Sequence, residues 1–203
     1  MNEIKVSRKT TESVMKVVIS PAPLNEDYRK KINTPLAFLN HMIEHIAWRA
    51  NLNIETEVKL DEFFLAHVVA EDLGIALGKA CAEYIKRNSS VGFSSALSII
   101  DEAKAECALS FENRSYIGFS SNVDIPERVE DMASEDLEVF LEGFCQGANC
   151  TMHIDILKGT NAHHIWEAAF RSFGLALGRA LEVNEARKNM TSSVAGAIDW
   201  IIE

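Results

Sequence analysis

The sequence predicts an α+β fold made of two tandem, similar halves, each ordered β-β-α-β-α with a small sheet backed by helices. Strand-like and helix-like segments follow one another in this order twice along the 203 residues. Two long helical segments begin alike, reading AHVVAE over residues 66–71 and AHHIWE over residues 162–167. Both segments later contain a similar turn, GIALGKA and GLALGRA. We therefore divide the chain into half-repeats 1–90 and 91–203, which together form one compact unit.

The first half contains these elements in order. Residues 4–20 hold two apolar stretches typical of a hairpin, and the Pro-rich residues 21–35 are typical of a loop. Apolar residues recur at helical spacing over 36–50, and residues 53–59 alternate as in a strand. A long helix is predicted over 66–87.

The second half repeats this order. Residues 97–111 and 114–123 are predicted to be a strand pair. A helix begins at Ser134 with acidic residues in its first turn, where the helix dipole favours them. Residues 150–157 alternate as in a strand, and residues 161–182 are predicted to form the last long helix.

Composition and charge exclude several classes of protein. The chain is 47% hydrophobic and has a formal net charge of -10, with 30 acidic against 20 basic residues. This balance argues against a nucleic-acid partner. The sequence contains no apolar run of about 18 residues and no signal-peptide core near its start, so we expect a cytoplasmic protein with no membrane partner. The cysteines form no CxxC pair and are expected to be reduced and buried: Cys81, Cys107, Cys145 and Cys150.

Histidines and glutamates at helical spacing predict a metal centre. On a helix, residues three or four apart lie on one face, so Glu167 is expected close to both His163 and His164. The two adjacent imidazoles diverge by about 100° around the helix axis, which suits two metal ions better than one. His67 and Glu71 repeat the four-residue spacing. Imidazole together with carboxylate favours Mn, Fe, Zn or Ni over Ca or Mg.

Two further observations extend this site or compete with it. His153, on the preceding strand, is expected to reach the same helix start across a short connection. His41, Glu44 and His45 match the H-x-x-E-H pattern of a zinc peptidase, in which two histidines bind zinc and the glutamate activates water. That alternative leaves the other histidines without a role. A single His–Glu pair at four-residue spacing is also typical of an ordinary exposed helix pair.

Three motifs resemble those of the imidazoleglycerol-phosphate dehydratase family: AFLNHMIEHIA, AEDLGIALGKA and GTNAHHIWEAAFRS. The resemblance extends from SRKTTES to Ser193 and so covers almost the whole chain. It implies a lyase of histidine biosynthesis that dehydrates imidazole glycerol phosphate to imidazole acetol phosphate. It also implies a duplicated fold like domain 2 of ribosomal protein S5 and a divalent metal cofactor, usually manganese. The family members form large symmetric homo-oligomers with sites at subunit interfaces.

The resemblance also implies roles for individual residues. Its metal-binding positions are His41, His67, Glu71, His153, His163, His164 and Glu167. Its catalytic positions are Glu12 as acid and base, the active-site acid Asp101, and the carboxylates Glu71 and Glu167. Its positions that bind the substrate phosphate are Arg114, Arg171, Ser192 and Ser193.

The chain departs from the family pattern at several positions. Val68 stands where the family has a metal-binding histidine, and Leu65 and Ala66 replace acids beside it. Gly92 stands where a phosphate-contacting arginine is expected, and the tail over 191–196 lacks its lysine. We therefore expect one of two metal sites to be weak or empty and the activity to be impaired. A non-catalytic or repurposed paralogue with an incomplete metal site is the alternative.

The C-terminal segment 197–203 carries large apolar residues. Because burying such a side chain contributes about 1.5–3 kcal/mol, we expect the segment to pack on the chain's own core. Its docking against a neighbouring subunit beside the metal site is the alternative.

Overall fold

The computed structural model describes residues 3–188, 190–194, 196 and 201 of the chain. The predicted α+β fold is confirmed. The first half contains β1 (Ile4–Lys9), β2 (Ser13–Pro21), the short helix α1 (Tyr28–Lys31), α2 (Ala37–Ala50), β3 (Leu52–Leu60) and α3 (Ala66–Asn88). The second half contains β4 (Phe93–Ile100), β5 (Ala103–Ser110), β6 (Tyr116–Ser121), β7 (Arg128–Val129), β8 (Met132–Ala133), α4 (Ser134–Ala148), β9 (Thr151–Lys158), α5 (Ala162–Leu181) and a 3-10 turn (Glu185–Arg187).

The first sheet is an antiparallel meander in the order β1-β2-β3. Burial alternates along β2, where Met15, Val17 and Ile19 face the core and Lys16 faces outward. This alternation follows from the two-residue period of a strand and gives the sheet one face for the helices to cover.

The second sheet differs from the prediction in the pairing of one strand. Its order is β4-β5-β9-β6, and β6 runs parallel to β9 instead of pairing with the β4–β5 hairpin. Both edges of β5 are already hydrogen-bonded, to β4 and to β9, so β6 occupies the remaining edge of β9. Residues 97–111, predicted as one strand, contain the turn at Asp101 and Glu102 between β4 and β5, and the two-residue strands β7 and β8 are also additional to the predicted β-β-α-β-α order.

The four long helices lie between the two sheets in two parallel pairs. α2 packs on α5 and α3 packs on α4, so each pair joins one helix from each half. Glycines allow this close approach, because a Cβ on Gly78 would lie 2.1 Å from the Phe144 carbonyl oxygen and one on Gly178 would lie 2.7 Å from the Ala50 Cα. A single cluster of buried residues runs through both halves. The boundary after residue 90 stays a prediction.

Several expectations about composition can be compared with the fold. All four cysteines are free and buried, and burial raises the pKa of the Cys81 and Cys107 thiols. Among the described residues, the helices are too short or too polar to cross a bilayer. Most of the apolar segment 197–203 lies outside the described residues, but Ile201 is described and is largely exposed.

Candidate metal centre

The start of α5 is held in place by two acceptor side chains. Asn161 caps the helix by accepting hydrogen bonds from the backbone N–H groups of His163 and His164. Glu102, in the turn between β4 and β5, accepts hydrogen bonds from the backbone N–H groups of Thr160 and Asn161. These contacts fix the two adjacent histidines on the first turn of the helix.

Glu167 is the centre of a cluster of imidazoles contributed by both halves. Its carboxylate is only 4% exposed. The His45 Nε2 lies 3.0 Å from Oε1, while the Nε2 atoms of His163 and His41 lie 3.3 and 3.7 Å from Oε2. Arg171, one turn further along α5, forms an ion pair with the same carboxylate. Three imidazole nitrogens therefore converge on one buried carboxylate.

The donor set of this cluster suits a divalent transition metal. Ligand atoms of His41, His45 and Glu167 all lie within 4.8 Å of one another. Burial lowers the pKa of His45 to about 4, against the opposing attraction of Glu167. The ring is therefore neutral near pH 7, which is the form that binds a metal.

Carboxylates also hold the outer nitrogens of the two adjacent histidines. His163 Nδ1 donates to Glu130 at 3.0 Å, and His164 Nδ1 donates to Glu102 at 2.8 Å. The hydrogen bond from His164 lowers the pKa of Glu102 to about 2, and the same bond raises the pKa of His164. A histidine that binds a metal commonly donates its second ring N–H to a carboxylate in this way. Each Nε2 is thereby left as the coordinating atom.

Asp101 lies beside the second of these rings. Its Oδ2 is 3.9 Å from the His164 Nε2, and the residue occupies the exposed turn after β4 with φ 43°. His164 and Asp101 therefore form a second, open group next to the cluster on Glu167.

Other predicted metal-binding residues lie elsewhere in the single chain. His67, at the start of α3, is exposed and lies 3.8 Å from Asp136 on α4. His153 alternates with the buried Met152 and Ile154, so its ring lies on the outer face of the second sheet, where it contacts Tyr116. The expectation that His153 reaches the start of α5 is wrong within one chain, because the helices cover the opposite face.

Glu12 lies at the turn between β1 and β2, near the start of α3. Together with Val68 it lines a cavity of about 240 Å³. The hairpin is tied to α3 through the buried Asp72, which accepts a hydrogen bond from Ser13 and pairs with Arg8 at 2.6 Å. Glu71 also lies on the first turns of α3, and it is half-buried. Glu12 therefore lies at a cavity beside α3 that is separate from the cluster on Glu167.

The residues predicted to bind phosphate divide between two places. Arg171 pairs with Glu167 and donates a hydrogen bond to the Ile99 carbonyl. Arg114 lies in the loop after β5, where its backbone bonds to Asn149 and Thr151. α5 has 20 residues, so its two ends are about 30 Å apart at about 1.5 Å per residue. Arg114 lies at the end remote from His163.

The tail residues Ser192 and Ser193 also lie at this remote end. Ser192 donates to the Phe111 carbonyl, and Ser193 donates to Glu112. Gly92 has φ +78°, and a Cβ there would lie 2.3 Å from the Ser192 Cβ. The glycine at the position expected to hold arginine thus leaves room for the tail.

The zinc-peptidase alternative requires Glu44 beside the convergent nitrogens. Instead, Glu44 pairs with Arg29 at 3.0 Å and lies 3.7 Å from His41 Nδ1. The His41 Nε2 faces Glu167 on the opposite side of the ring. The carboxylate that would activate water is therefore directed away from the cluster.

Glu102 and Glu130 were missed as site residues, and His45 was predicted as a ligand only in the zinc-peptidase alternative. His45 carries a usable signal, because it lies four residues after His41 on one helix face. Glu102 follows the predicted Asp101, but its contact with His164 depends on the fold. Glu130 lies in the β7–β8 turn, whose Asp131 also accepts hydrogen bonds from the first N–H groups of α2. No sequence pattern connects that turn with either helix.

Comparisons with known proteins show similarity to one family along most of the chain. A family model described as imidazoleglycerol-phosphate dehydratase matches residues 34–177. An imidazoleglycerol-phosphate dehydratase of Sulfurimonas denitrificans is 34% identical over 90% of this chain and 94% of its own length. One of Thioalkalivibrio sulfidiphilus is 33% identical over 96% of this chain and 97% of its own length.

Solved structures of the same description have a similar fold. The crystal structure of the enzyme from Staphylococcus aureus has a TM-score of 0.75 and 30% identity, covering 90% of this chain and 99% of that one. The structure from Pyrococcus furiosus, in complex with (S)-C348, has a TM-score of 0.77 and 30% identity, covering 95% and 99%.

Proposed function

The chain is an enzyme of the imidazoleglycerol-phosphate dehydratase family, whose members are lyases, and we propose that it dehydrates imidazole glycerol phosphate to imidazole acetol phosphate. The observation that carries this proposal is the convergence of His41, His45 and His163 on the buried Glu167. The reaction would be a step of histidine biosynthesis in the cytoplasm.

A divalent metal, manganese in the family the chain resembles, fits the residues of this cluster. Imidazole nitrogens and a carboxylate are the donors that such ions accept. His41, His45, His163 and Glu167 would hold one ion, and His164 with Asp101 would contribute to another. When bound, the metal supplies Lewis acidity and orients the imidazole ring of the substrate.

The proton transfers are assigned to carboxylates of the chain. The dehydration removes a hydrogen from carbon and expels a hydroxyl group, so one group must accept a proton and one must donate a proton. Glu12 is exposed at the edge of the cavity beside Val68 and is free to reach a bound substrate. Asp101 is exposed beside His164 and is the second candidate.

Phosphate binding is assigned to Arg171, which lies midway along α5, and to residues near its far end. Arg171 offers a cation next to the Glu167 cluster, whereas Arg114, Ser192 and Ser193 belong to the remote end. A small substrate cannot span about 30 Å. We therefore propose that a complete site combines residues of different subunits in a large symmetric homo-oligomer.

The departures from the family pattern lead us to expect slow turnover. Val68 offers no donor at the position of a metal-binding histidine, and Gly92 offers no cation to the phosphate. Both losses weaken binding without removing Glu12 or the Glu167 cluster. We therefore propose an active enzyme with a low rate over a non-catalytic paralogue.

The test is a dehydratase assay on purified protein loaded with Mn²⁺, followed with imidazole glycerol phosphate as the substrate. We expect formation of imidazole acetol phosphate and its loss in Glu167→Gln. Turnover that persists in Glu167→Gln would contradict the proposed site. Metal binding without turnover would favour the repurposed paralogue, and hydrolysis of peptides that depends on Glu44 would favour the peptidase.

A further inference from the structure

We propose that His45 is a metal ligand and that His41, His45, His163 and Glu167 form a four-donor site within a single chain. This inference deepens the proposed function, on which it rests for the presence of a metal. His45 is not among the positions that the family resemblance assigned to metal binding. Its place in the cluster follows from the packing of α2 on α5.

Helix packing brings His45 within reach of Glu167. A Cβ on Gly174 of α5 would lie 3.1 Å from the His45 carbonyl oxygen and 3.0 Å from the Ile46 Cα. The two helix backbones are therefore in close contact about two turns of α5 beyond Glu167. His41 and His45 lie four residues apart, on the face of α2 that is turned toward α5. Their Nε2 atoms are 3.3 Å apart.

The spacing of the donor atoms fits a metal ion. The Nε2 atoms of His41 and His45 are 3.3 Å apart and lie 3.7 and 3.0 Å from the Glu167 oxygens, and the His163 Nε2 lies 3.3 Å from Oε2. Four ligands at about 2.0–2.1 Å from a tetrahedral zinc ion would be about 3.3 Å from one another. The donor atoms of His41, His45 and Glu167, all within 4.8 Å of one another, are therefore close to the required spacing, and His163 completes the site by moving toward His41 and His45. Glu167 supplies a negative charge for the ion, and in this structure its carboxylate forms an ion pair with Arg171.

With His45 as a ligand, the valine at position 68 no longer implies that the site at Glu167 is weak or empty. One imidazole is missing from α3, but another is present on α2, and all four donors of this site come from one chain. Binding here therefore does not depend on residue 68 of a neighbouring subunit. If one of two metal sites is weak or empty, it is the site to which the exposed His67 contributes.

The test compares Mn²⁺ binding to metal-free wild-type protein, His45→Gln and the control Glu106→Gln. Glutamine keeps a polar side chain of similar length but is a poor ligand, and Glu106 is exposed on β5 away from the cluster. We expect at least a tenfold loss of Mn²⁺ affinity in His45→Gln and an unchanged affinity in Glu106→Gln. Titration calorimetry measures both.

A second measurement counts the ligands and requires no variant to fold. Electron spin echo envelope modulation of wild-type protein with substoichiometric Mn²⁺ should detect three bound imidazoles. In His45→Gln the count should fall to two. Two imidazoles in the wild type, or equal affinity in His45→Gln, would overturn the inference. If the protein has no dehydratase activity but loses Mn²⁺ affinity in His45→Gln, the proposed function fails and this inference stands.

Discussion

At the scale of single residues, carboxylates organise the candidate site. Glu167 gathers three imidazoles, while Glu102 and Glu130 orient the rings of His164 and His163 from the outside. The buried Glu167 is compensated by Arg171, which explains how a charged group can lie in the core of the protein. Removing any one of these groups should change the behaviour of a neighbouring histidine.

Glu102→Gln should weaken metal binding at His164. The amide accepts a hydrogen bond from the ring N–H less strongly than the carboxylate, so the imidazole loses its fixed orientation. Loss of a carboxylate that orients a metal-binding histidine typically lowers metal affinity by about 10–100-fold. Since the pKa of Glu102 is lowered to about 2, the carboxylate of the wild type is charged throughout the neutral range. Titration with Mn²⁺ is the measurement. Glu106→Gln, an exposed position on β5, is the control and should bind like wild type.

Val68→His should raise the amount of manganese bound per chain. Val68 is half-buried at a cavity of about 240 Å³ that it shares with Glu12, so an imidazole can be accommodated. Metal analysis after dialysis measures the stoichiometry, and Val183→His adds an exposed histidine elsewhere as a control. An unchanged stoichiometry in Val68→His would mean that residue 68 does not face a metal site.

At the scale of elements, the two parallel helix pairs have different roles. α2 and α5 carry the histidines that meet at Glu167, whereas α3 and α4 bring His67 close to Asp136. The close packing of both pairs requires glycines, because a Cβ at these positions would clash with the backbone of the facing helix.

Gly178→Ala and Gly78→Ala should separate these roles. Each new methyl group would clash with the backbone of the partner helix, so each variant should lose about 1–3 kcal/mol of stability. Only Gly178→Ala moves α2 away from α5, so only this variant should also lose Mn²⁺ affinity. Denaturant unfolding at a fixed protein concentration and Mn²⁺ titration are the measurements, and Lys79→Ala is a control on an exposed face of α3. Equal Mn²⁺ affinity in both glycine variants would argue that helix spacing does not control the site.

At the scale of the whole molecule, the residues assigned to metal and to phosphate are far apart. Glu167 and His163 lie at the start of α5, while Arg114 and Ser192 lie toward its far end. The proposed site is therefore incomplete in one chain.

Hybrid oligomers of two inactive variants should regain activity. If a site takes Arg114 from one subunit and Glu167 from another, random mixing of Arg114→Ala and Glu167→Gln chains leaves about a quarter of the sites intact. Coexpression with two affinity tags, followed by the dehydratase assay, measures the recovery. Hybrids that remain as inactive as either parent would show that both residues act within the same chain.

The duplicated α+β order and most of the residues that carry chemistry could be predicted from local sequence patterns. Strand alternation, helical spacing and the shared helix starts are local patterns, so they predicted the hairpins, the four long helices and the proximity of His163 to Glu167, whereas His164 contacts Asp101 and Glu102 instead. The structure departs from the predicted order at α1, at the turn between β4 and β5, at the short strands β7 and β8, and at the parallel pairing of β6 with β9. Strand pairing depends on which sheet edge is unoccupied, and a local pattern does not encode this.

Which of those residues come into contact depends on helix packing and strand register in the folded chain. His45 belongs with Glu167 because α2 packs against α5 across the two halves, and His153 lies apart because its strand presents it on the outer face of the sheet. Glu102 and Glu130 reach the histidines from turns that are distant in sequence. Such contacts depend on helix spacing and strand register over the whole chain, and these are properties that no local pattern encodes.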